Sequence, residues 1–249
     1  MLRARLVALL AAQAGLVAWP AAARGGDLEI SPVVVELGRA RSTLVTLKNV
    51  AAERGRYQVR VFSWGESALG ESRLEPASDL VAFPTVLELA PGEERKLRIG
   101  TTATPGEREQ TWRVFVEEIL PAVTAEEGRR LRTRLRVGIP VFFAPQRPLA
   151  GAEIVGLGVE KGRVTFLLRN SGTIRIRPSS VRVALADAKG ATVFERTLSG
   201  WYVLAGSDRL FDLDLPRASC LKATTVIATA ATDQPIESRR PVPDGACGP

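Results

Sequence analysis

Residues 131–145, LRTRLRVGIPVFFAP, alternate in character with the two-residue period of a β-strand. One face of this strand carries a row that is apolar at every position but one: Leu131, Thr133, Leu135, Val137, Ile139 and Val141. The other face begins with three arginines: Arg132, Arg134 and Arg136. Polar residues 124–130 precede the strand, and a proline-bounded connector follows it just past the middle of the chain. The strand is either an ordinary half-buried sheet member or one whose first half is available to a partner protein.

Further segments have the composition of strands, rich in β-branched and aromatic residues and separated by turn signals such as Pro91-Gly92. In the first half they cover residues 27–37, 43–49, 57–64, 81–89, 95–100 and 110–120. In the second half they cover residues 153–159, 163–170, 180–186, 192–198, 201–204, 209–215 and 221–230. The apolar phase slips at Pro32, which is typical of an edge strand that kinks or changes sheets, and Pro84 breaks another strand.

The chain has 249 residues, more than the usual size of one domain. Its first half has about seven short strands with turns between them, which is the pattern of an immunoglobulin-like sandwich. The second half repeats the pattern, and neither half predicts a helix of useful length. We therefore predict an all-β fold of two immunoglobulin-like β-sandwich domains in series, over residues 24–147 and 148–249.

The first 23 residues have the composition of an export signal. Two arginines are followed by an apolar run over residues 6–19 and by three alanines at residues 21–23, a pattern that signal peptidases cleave. The alternative is a membrane anchor, but the run is short for a bilayer span and rich in alanine. We predict a soluble, exported mature chain that begins near Arg24.

Cys220 and Cys247 are the two cysteines of the chain. Because an exported protein lies in an oxidising compartment, we expect them to form a disulfide that ties the tail to the second domain. Two separated thiols, without any histidine in the sequence, are too few ligands for a structural zinc, so no metal or cofactor is predicted. The missing histidines also remove the commonest general base, and no nucleophile elbow or phosphate-binding loop is present. An enzyme is therefore not predicted.

The formal net charge of +7 would suit nucleic acid, anionic lipid or an acidic protein as a partner. Aromatic residues make up only 6% of the chain, and no basic stretch is interleaved with stacking side chains, so nucleic acid is not predicted. Outside the first 23 residues, no run approaches the roughly 20 apolar residues of a membrane-spanning helix, so stable membrane insertion is not predicted either.

Seven segments, taken in order, resemble the periplasmic pilus chaperones of the PapD type. They are ISPVVVEL at 30–37, TLVTLKN at 43–49, FPTVLELAPGEERKLRI at 83–99, WRVFVEEILP at 112–121, GIPVFFAP at 138–145, and the weaker RNSGT at 169–173 and VLAGS at 203–207. No single segment is decisive, but their order, their spacing and the export signal make the resemblance specific. It covers essentially the whole mature chain.

The resemblance implies a chaperone for pilus subunits. A subunit is an immunoglobulin-like sandwich that lacks its last strand, and a family chaperone fills the open groove with alternate residues of the last strand of its first domain. On this chain the implied donor residues are Leu131, Thr133, Leu135, Val137 and Ile139. Thr133 departs from the apolar pattern, and Ile139 also fits the chaperone's own core.

The best-known branch of the family holds the subunit's terminal carboxylate with an arginine on the first strand and a lysine on the last. This chain has Val34 and Pro140 there, which resembles the archaic branch, where that basic pair is absent. If a carboxylate is bound, the expected anchor is Arg113 on the preceding strand, with Arg98 as the second candidate. The alternative for Arg113 is an ion pair with Glu117 on the same strand face.

The predicted function is that of a periplasmic chaperone. It binds and stabilises pilus subunits by donor-strand complementation and delivers them to an outer-membrane usher. The alternative is an exported two-domain β-sandwich protein with a structural or adhesive role at the cell surface, because a fold alone does not fix a function.

Overall fold

The computed structural model describes residues 28–67, 69–120 and 133–248. The first half contains β1 (Leu28–Ser31), β2 (Val35–Leu37), β3 (Ser42–Asn49), β4 (Gly55–Glu66), β5 (Ser72–Pro76), β6 (Leu80–Phe83), β7 (Val86–Leu89), β8 (Glu94–Thr101), β9 (Gln110–Glu118) and β10 (Arg136–Phe143). The second half contains β11 (Ala152–Glu160), β12 (Arg163–Asn170), β13 (Ser180–Ala186), β14 (Thr192–Ser199), β15 (Asp208–Asp214), a short helix α1 (Arg217–Cys220), β16 (Thr225–Ala230) and β17 (Ile236–Pro241). The fold is nearly all β, as predicted. The predicted export signal lies outside the described residues.

Two sheets form the first β-sandwich. One has the strand order β1-β3-β8-β6, and the other has the order β2-β10-β9-β4-β5, with β7 also paired to β4. The predicted strand over residues 27–37 changes sheets after Pro32, because β1 pairs with β3 and β2 pairs with β10. The predicted strand over residues 81–89 is divided at Pro84 into β6 and β7, which lie in different sheets. In both places proline interrupts the ladder because it has no N–H to donate.

The core of the first sandwich lies between its two sheets. Alternate residues of β3, β8, β9 and β10 point into it, including the almost fully buried Leu47, Leu97, Val114 and Val141. Trp112 is also buried there, and its indole N–H donates to Asp79 Oδ1 at 2.9 Å. A buried indole N–H requires such an acceptor. β10 therefore contributes apolar side chains to the first sandwich's own core.

The second sandwich consists of the sheets β11-β12-β15 and β14-β13-β16-β17. Its core is mostly aliphatic, with Phe166 and Phe211 stacked at a centroid distance of 5.1 Å. The predicted disulfide between Cys220 and Cys247 is confirmed, with Cα atoms 5.6 Å apart. Both cysteines pack against this core, so the disulfide ties the C-terminal tail to it.

Some elements differ from the sequence prediction. β5 and β17 have no counterpart among the predicted strands, because they are largely exposed edge strands without a strong apolar alternation. Residues 201–204 contribute only an isolated bridge between Ile176 and Val203 instead of a strand. The predicted strand over residues 221–230 begins only at Thr225, after α1.

Candidate functional site

The strand β10 lies inside its sheet for part of its length and at an edge for the rest. On one side all eight of its residues pair antiparallel with β9. On the other side only residues 141–143 pair, in parallel, with residues 35–37 of β2. Residues 136–140 have no strand partner on this second side among the described residues. Within the described part of the chain, the N-terminal part of β10 is therefore an open sheet edge.

Main-chain groups point out of this edge. The Glu118 amide donates to the Leu135 carbonyl oxygen at 2.9 Å, so this position carries one of the two main-chain bonds of a hydrogen-bonded pair. Because such pairs alternate along an antiparallel ladder, the N–H groups of Arg136 and Gly138 point away from β9. Pro140 has no N–H. An edge with unpaired donors and acceptors can take up a further strand.

The apolar row passes from the core to the surface along β10. Ile139 is 1% exposed and belongs to the core of the first sandwich. Leu135 packs against the same core but is only partly buried, and Val137 is also half-buried. Thr133 is exposed, and Leu131 lies outside the described residues. Of the described candidate donor residues, those on the N-terminal side are therefore the accessible ones.

Within the described residues, the predicted strand over residues 131–145 is shorter than expected, because β10 covers only Arg136–Phe143. The Leu135 amide lies 3.3 Å from the side-chain Oε2 of Glu118 and donates to it rather than to the main chain. One of the two ladder bonds is therefore missing at Leu135, just before Arg136, where β10 begins. At its other end β10 stops at Phe143, which lies opposite the first residue of β9.

The face of β10 opposite the apolar row carries a charged cluster around Glu117, which is only 5% exposed. Arg136 Nε lies 2.7 Å from Glu117 Oε1, and Arg60 pairs with the same carboxylate. The Arg136 guanidinium also stacks on Phe115, 4.1 Å from the ring centroid. Gly138 leaves room for this ring, since a Cβ there would come within 2.9 Å of it.

Arg113 lies further along the same face, beside the boundary between the two sandwiches. Its cross-strand neighbour on β10 is Pro140, one of the two positions that lack the basic residue of the best-known branch. Its guanidinium lies 4.0 Å from the Trp64 ring centroid. The alternative ion pair with Glu117 is not formed, because two other arginines hold that carboxylate. Arg113 makes no ion pair with any described residue.

The electrostatic surroundings leave Arg113 available to an anion. Burial lowers the pKa of its guanidinium, and nearby Tyr202 and Glu66 oppose that shift. An arginine remains protonated in proteins, so the group carries its charge. Its Nε is buried without a hydrogen-bond partner among the described residues. A buried donor without an acceptor is costly, and an anion in the cleft would satisfy it.

Arg98, the second anchor candidate, lies in the other sheet of the first sandwich. On β8 it stands between Leu44 of β3 and Phe83 of β6. It is exposed, and its guanidinium donates to Ser42 Oγ at 3.2 Å. The fold thus brings Arg113, and not Arg98, next to β10.

The two sandwiches meet at an aromatic cluster. It consists of Trp64 from β4, Phe142 from β10, and Tyr202 and Leu204 from the second sandwich. Val34, the other position without the usual basic residue, packs against it. The ring centroids of Trp64, Phe142 and Tyr202 lie 5.4–5.9 Å apart. Arg113 is therefore in the cleft between the sandwiches.

Two glutamates of the first sandwich bind main-chain amides of the second. Glu66 Oε2 accepts from the Leu204 amide at 2.9 Å, and Glu109 Oε2 accepts from the Arg175 amide at 3.0 Å. Burial raises the pKa of both carboxyl groups, and these amide bonds oppose the shift. The two contacts hold the sandwiches in one relative orientation.

The side chain of Arg175 strengthens the same interface. It pairs with Glu109 and Glu36 of the first sandwich and stacks over Phe142, 3.6 Å from the ring centroid. Sequence reasoning missed these contacts because the partners lie up to 139 residues apart in the chain. The glutamates and the arginine look like ordinary surface residues until the two domains are placed together.

The described residues contain no group of three acidic or thiol side chains that could hold a metal ion. In the same part of the chain, no helix is long and apolar enough to cross a membrane.

The first sandwich corresponds to a known domain. The family model described as pili and flagellar-assembly chaperone, PapD N-terminal domain, matches residues 28–148. Residues 28–148 of the chain therefore belong to the PapD-type pilus chaperone family. No curated protein sequence matches it.

Solved structures share the fold of this PapD-type chaperone. A chain of the CsuC–CsuE chaperone–tip adhesion subunit pre-assembly complex, from archaic chaperone–usher Csu pili of Acinetobacter baumannii, is 19% identical with a TM-score of 0.60. The YadV chaperone is 16% identical with a TM-score of 0.57. A chain of the Salmonella enterica complex of SafA pilin with the SafB chaperone is 14% identical with a TM-score of 0.54.

The structural likeness extends across both sandwiches. The matches cover 85% of this PapD-type chaperone and 98% of the Csu chain, 87% and 100% for YadV, and 87% and 98% for the Salmonella chain. The two-sandwich fold predicted from the sequence is therefore confirmed.

Proposed function

We propose that this chaperone binds pilus subunits in the periplasm by donor-strand complementation and delivers them to an outer-membrane usher. The observation that carries the proposal is the open edge of β10, which has a strand partner on one side only over residues 136–140. With the predicted domain boundaries at residues 24–147 and 148–249, β10 is the last strand of the first domain.

The open edge supplies both parts of a strand-addition site. Its outward main-chain groups offer hydrogen bonds to an incoming strand, and its apolar row offers side chains to the partner's core. Leu131, Leu135 and Val137 would each contribute on the order of 1.5–3 kcal/mol if fully buried in the subunit. Thr133 adds a smaller, more polar contact at the exposed end of the row. Ile139 supports the donor segment from within the chaperone's core.

The direction of the added strand follows from β2. This strand pairs in parallel with residues 141–143 of β10, and an incoming parallel strand would continue the same line along residues 136–140. Such a strand ends near Pro140, whose cross-strand neighbour is Arg113. We propose Arg113 as the anchor for the subunit's terminal carboxylate, since its planar fork matches a carboxylate.

The test is capture of a candidate subunit encoded in the same operon, measured by co-expression and pull-down. Leu135→Arg places an unpaired charge in the apolar groove, at a cost of several kcal/mol, so we expect capture to fall by about a hundredfold or more. Arg134→Ala, on the opposite face of the same segment, is the matched control and should capture normally. Thermal unfolding of both variants checks that the chaperone remains folded.

Equal capture by Leu135→Arg and Arg134→Ala would contradict the proposed donor segment. If Leu135→Arg proves unstable, Leu135→Ser tests the same contact with a smaller disturbance. Its capture is then divided by its folded fraction, and a value equal to that of Arg134→Ala would contradict the proposed donor segment.

A further inference from the structure

A buried carboxylate lies on the outer face of the sheet, beside the open edge of β10. The Glu117 side chain is only 6% exposed, although the neighbouring Val116 is the residue that points into the core. Two arginine side chains pair with this carboxylate, Arg60 from β4 and Arg136 from β10. A buried charge is stable only where it is paired. Glu117 therefore links three neighbouring strands, β4, β9 and β10.

Arg136 is the first residue of β10 and stands directly opposite Glu117 in the ladder. Its guanidinium is held in two ways, by the ion pair at 2.7 Å and by stacking on Phe115 at 4.1 Å from the ring centroid. Phe115 is supported in turn by Phe62 of β4, in an edge contact at a centroid distance of 5.7 Å. The Arg136 side chain is thus directed over β9 and not over the open edge.

Gly138 makes a second close fit between β10 and β9. It stands opposite Phe115 in the ladder, and a Cβ at this position would lie 2.9 Å from Phe115 Cε1. If β10 were shifted by two residues, Arg136 or Pro140 would stand opposite this ring instead. Both carry the side-chain atoms for which the ring leaves no room.

The apolar row alone does not fix the register of the open half of β10, residues 136–140. A shift of one residue would turn every side chain to the opposite face, but a shift of two residues, taken up in a bulge, keeps the apolar side chains on the core face. Residues 141–143 are paired on both sides, whereas residues 136–140 have a described strand partner only in β9. The register of the open half therefore depends on its side-chain contacts with β9.

We propose that Glu117 is a positioning residue for the donor strand. With Arg136 it holds the open half of β10 in one register with β9 before a subunit arrives, and the close fit at Gly138 excludes the register two residues away. The inference rests on the proposed function, because this register decides where Leu135 and Val137 stand against the subunit's groove. A donor strand that is already ordered also lowers the entropic cost of binding.

The first measurement reads the register of the free, full-length mature chaperone by nuclear magnetic resonance. Because Glu118 and Leu135 share a main-chain hydrogen bond, the α-hydrogens of the facing pairs 117–136 and 115–138 lie close together and should give cross-peaks. Glu117→Gln keeps the size of the side chain and removes its charge, so both cross-peaks should be lost or strongly weakened. The corresponding cross-peak of the pair 111–142, in the doubly paired half of β10, is the internal reference and should remain.

The second measurement is the dissociation constant for a candidate subunit from the same operon, expressed per folded chaperone. Glu117→Gln and Arg136→Ala should each weaken capture by about tenfold. The double variant should be no weaker than either single variant, because both changes remove the same contact. If Glu117→Gln fails to fold, Arg136→Ala carries both measurements, since the Arg136 side chain is 46% exposed.

Glu195→Gln is the matched control. It removes an ion pair between neighbouring strands of the second sandwich, where Arg182 Nη1 lies 3.0 Å from Glu195 Oε2. This variant should keep both cross-peaks and capture the subunit as the wild type does.

The outcomes separate this inference from the function on which it rests. If Glu117→Gln keeps both cross-peaks, or loses them and still captures the subunit as the wild type does, Glu117 is not a positioning residue and the proposed function stands. If the loss in the double variant is the product of the two single losses, Glu117 and Arg136 act independently and the shared contact is wrong. If the wild type captures no subunit, the proposed function fails and this inference fails with it.

Discussion

The two halves of the row from residue 131 to residue 143 carry similar side chains but lie in different surroundings. Ile139, Val141 and Phe143 are at most 1% exposed, and the end of β10 is paired on both sides. Leu135 and Val137 continue the same face but are only half-buried, beside an edge that is paired on one side. The difference teaches that one alternating pattern can lie partly in a core and partly at an open edge. The buried half completes the chaperone's own core, and we propose that the open half completes the core of a partner.

The largest effect is expected from the buried half. Ile139→Ala removes a side chain that is 1% exposed in the first core, and the free energy of unfolding should fall by about 2–5 kcal/mol. Chemical denaturation measures this loss. Subunit capture per folded molecule should remain close to that of the wild type. Loss of capture without loss of stability would place Ile139 in the binding row instead and erase the distinction between the halves.

The disulfide offers a stability change remote from β10. Replacing Cys220 and Cys247 by serine opens a link with a sequence separation of 27, and the chain-entropy relation gives a loss of about 3–4 kcal/mol. We expect a lower melting temperature with unchanged capture below the transition. Alkylation of the native wild-type protein should find no free thiol. A selective loss of capture in this variant would mean that the second sandwich participates beyond the cleft.

A substitution in the open half should weaken subunit capture more than it lowers the free energy of unfolding. Val137→Thr keeps the size and shape of a half-buried side chain and replaces one methyl group by a hydroxyl group. Its transfer into an apolar groove is less favourable, so capture should weaken by about tenfold, while the free energy of unfolding changes by less than about 1 kcal/mol. Equilibrium binding and denaturation curves of the same preparation measure the affinity for the subunit and the free energy of unfolding. Arg134→Ala, on the other face, is the control and should change neither.

The two anchor candidates, Arg113 and Arg98, can be compared by alanine substitution. Arg113→Ala should weaken capture by about tenfold at a nearly unchanged melting temperature, since its guanidinium pairs with no described residue. Arg98→Ala should leave capture unchanged, because Arg98 lies in the opposite sheet. A drop in melting temperature with capture retained in the folded fraction would assign Arg113 to the scaffold.

The smallest effect concerns pH and the interface between the sandwiches. Burial raises the pKa of Glu66 above its ordinary value of 4.5. At pH values between 4.5 and this raised pKa, the folded chain therefore holds a proton on Glu66 that the unfolded chain has lost. The contribution of this group to the free energy of unfolding must then decrease as the pH rises from 4.5 through the raised pKa. Glu66→Gln removes this group, so its stability should fall less over that range than that of the wild type. An unchanged pH profile of unfolding would contradict the raised pKa.

The sequence predicted much of the fold because its signals were local. The phase slip at Pro32 and the break at Pro84 both mark places where the chain changes sheets. The alternating row of β10 likewise indicated a strand with one apolar face. Where along this row the edge is open depends on the partner strands, which the sequence does not show. Because β2 is short, it pairs only with residues 141–143 and leaves the earlier part of β10 without a described partner on that side.

The candidate site was less accessible from the sequence. Arg113 was selected as a cation on the strand before the donor strand, but Trp64 and Tyr202 around it come from distant segments. The glutamate contacts to the Leu204 and Arg175 amides have no local signature either, because any carboxylate of suitable reach can accept from a backbone N–H. Such contacts depend on how two domains meet, which no periodicity encodes.

Hydrogen exchange at the open edge tests the central claim most directly. The amides of Arg136 and Gly138 point away from β9 and have no strand partner among the described residues. Residue-resolved amide exchange of the isotope-labelled chaperone, measured by nuclear magnetic resonance with and without a candidate subunit, follows both groups. We expect the two amides to exchange markedly more slowly in the complex, while amides of the edge strand β6 in the other sheet stay as they were. A subunit that binds tightly and leaves the exchange of Arg136 and Gly138 unchanged would contradict strand addition at β10.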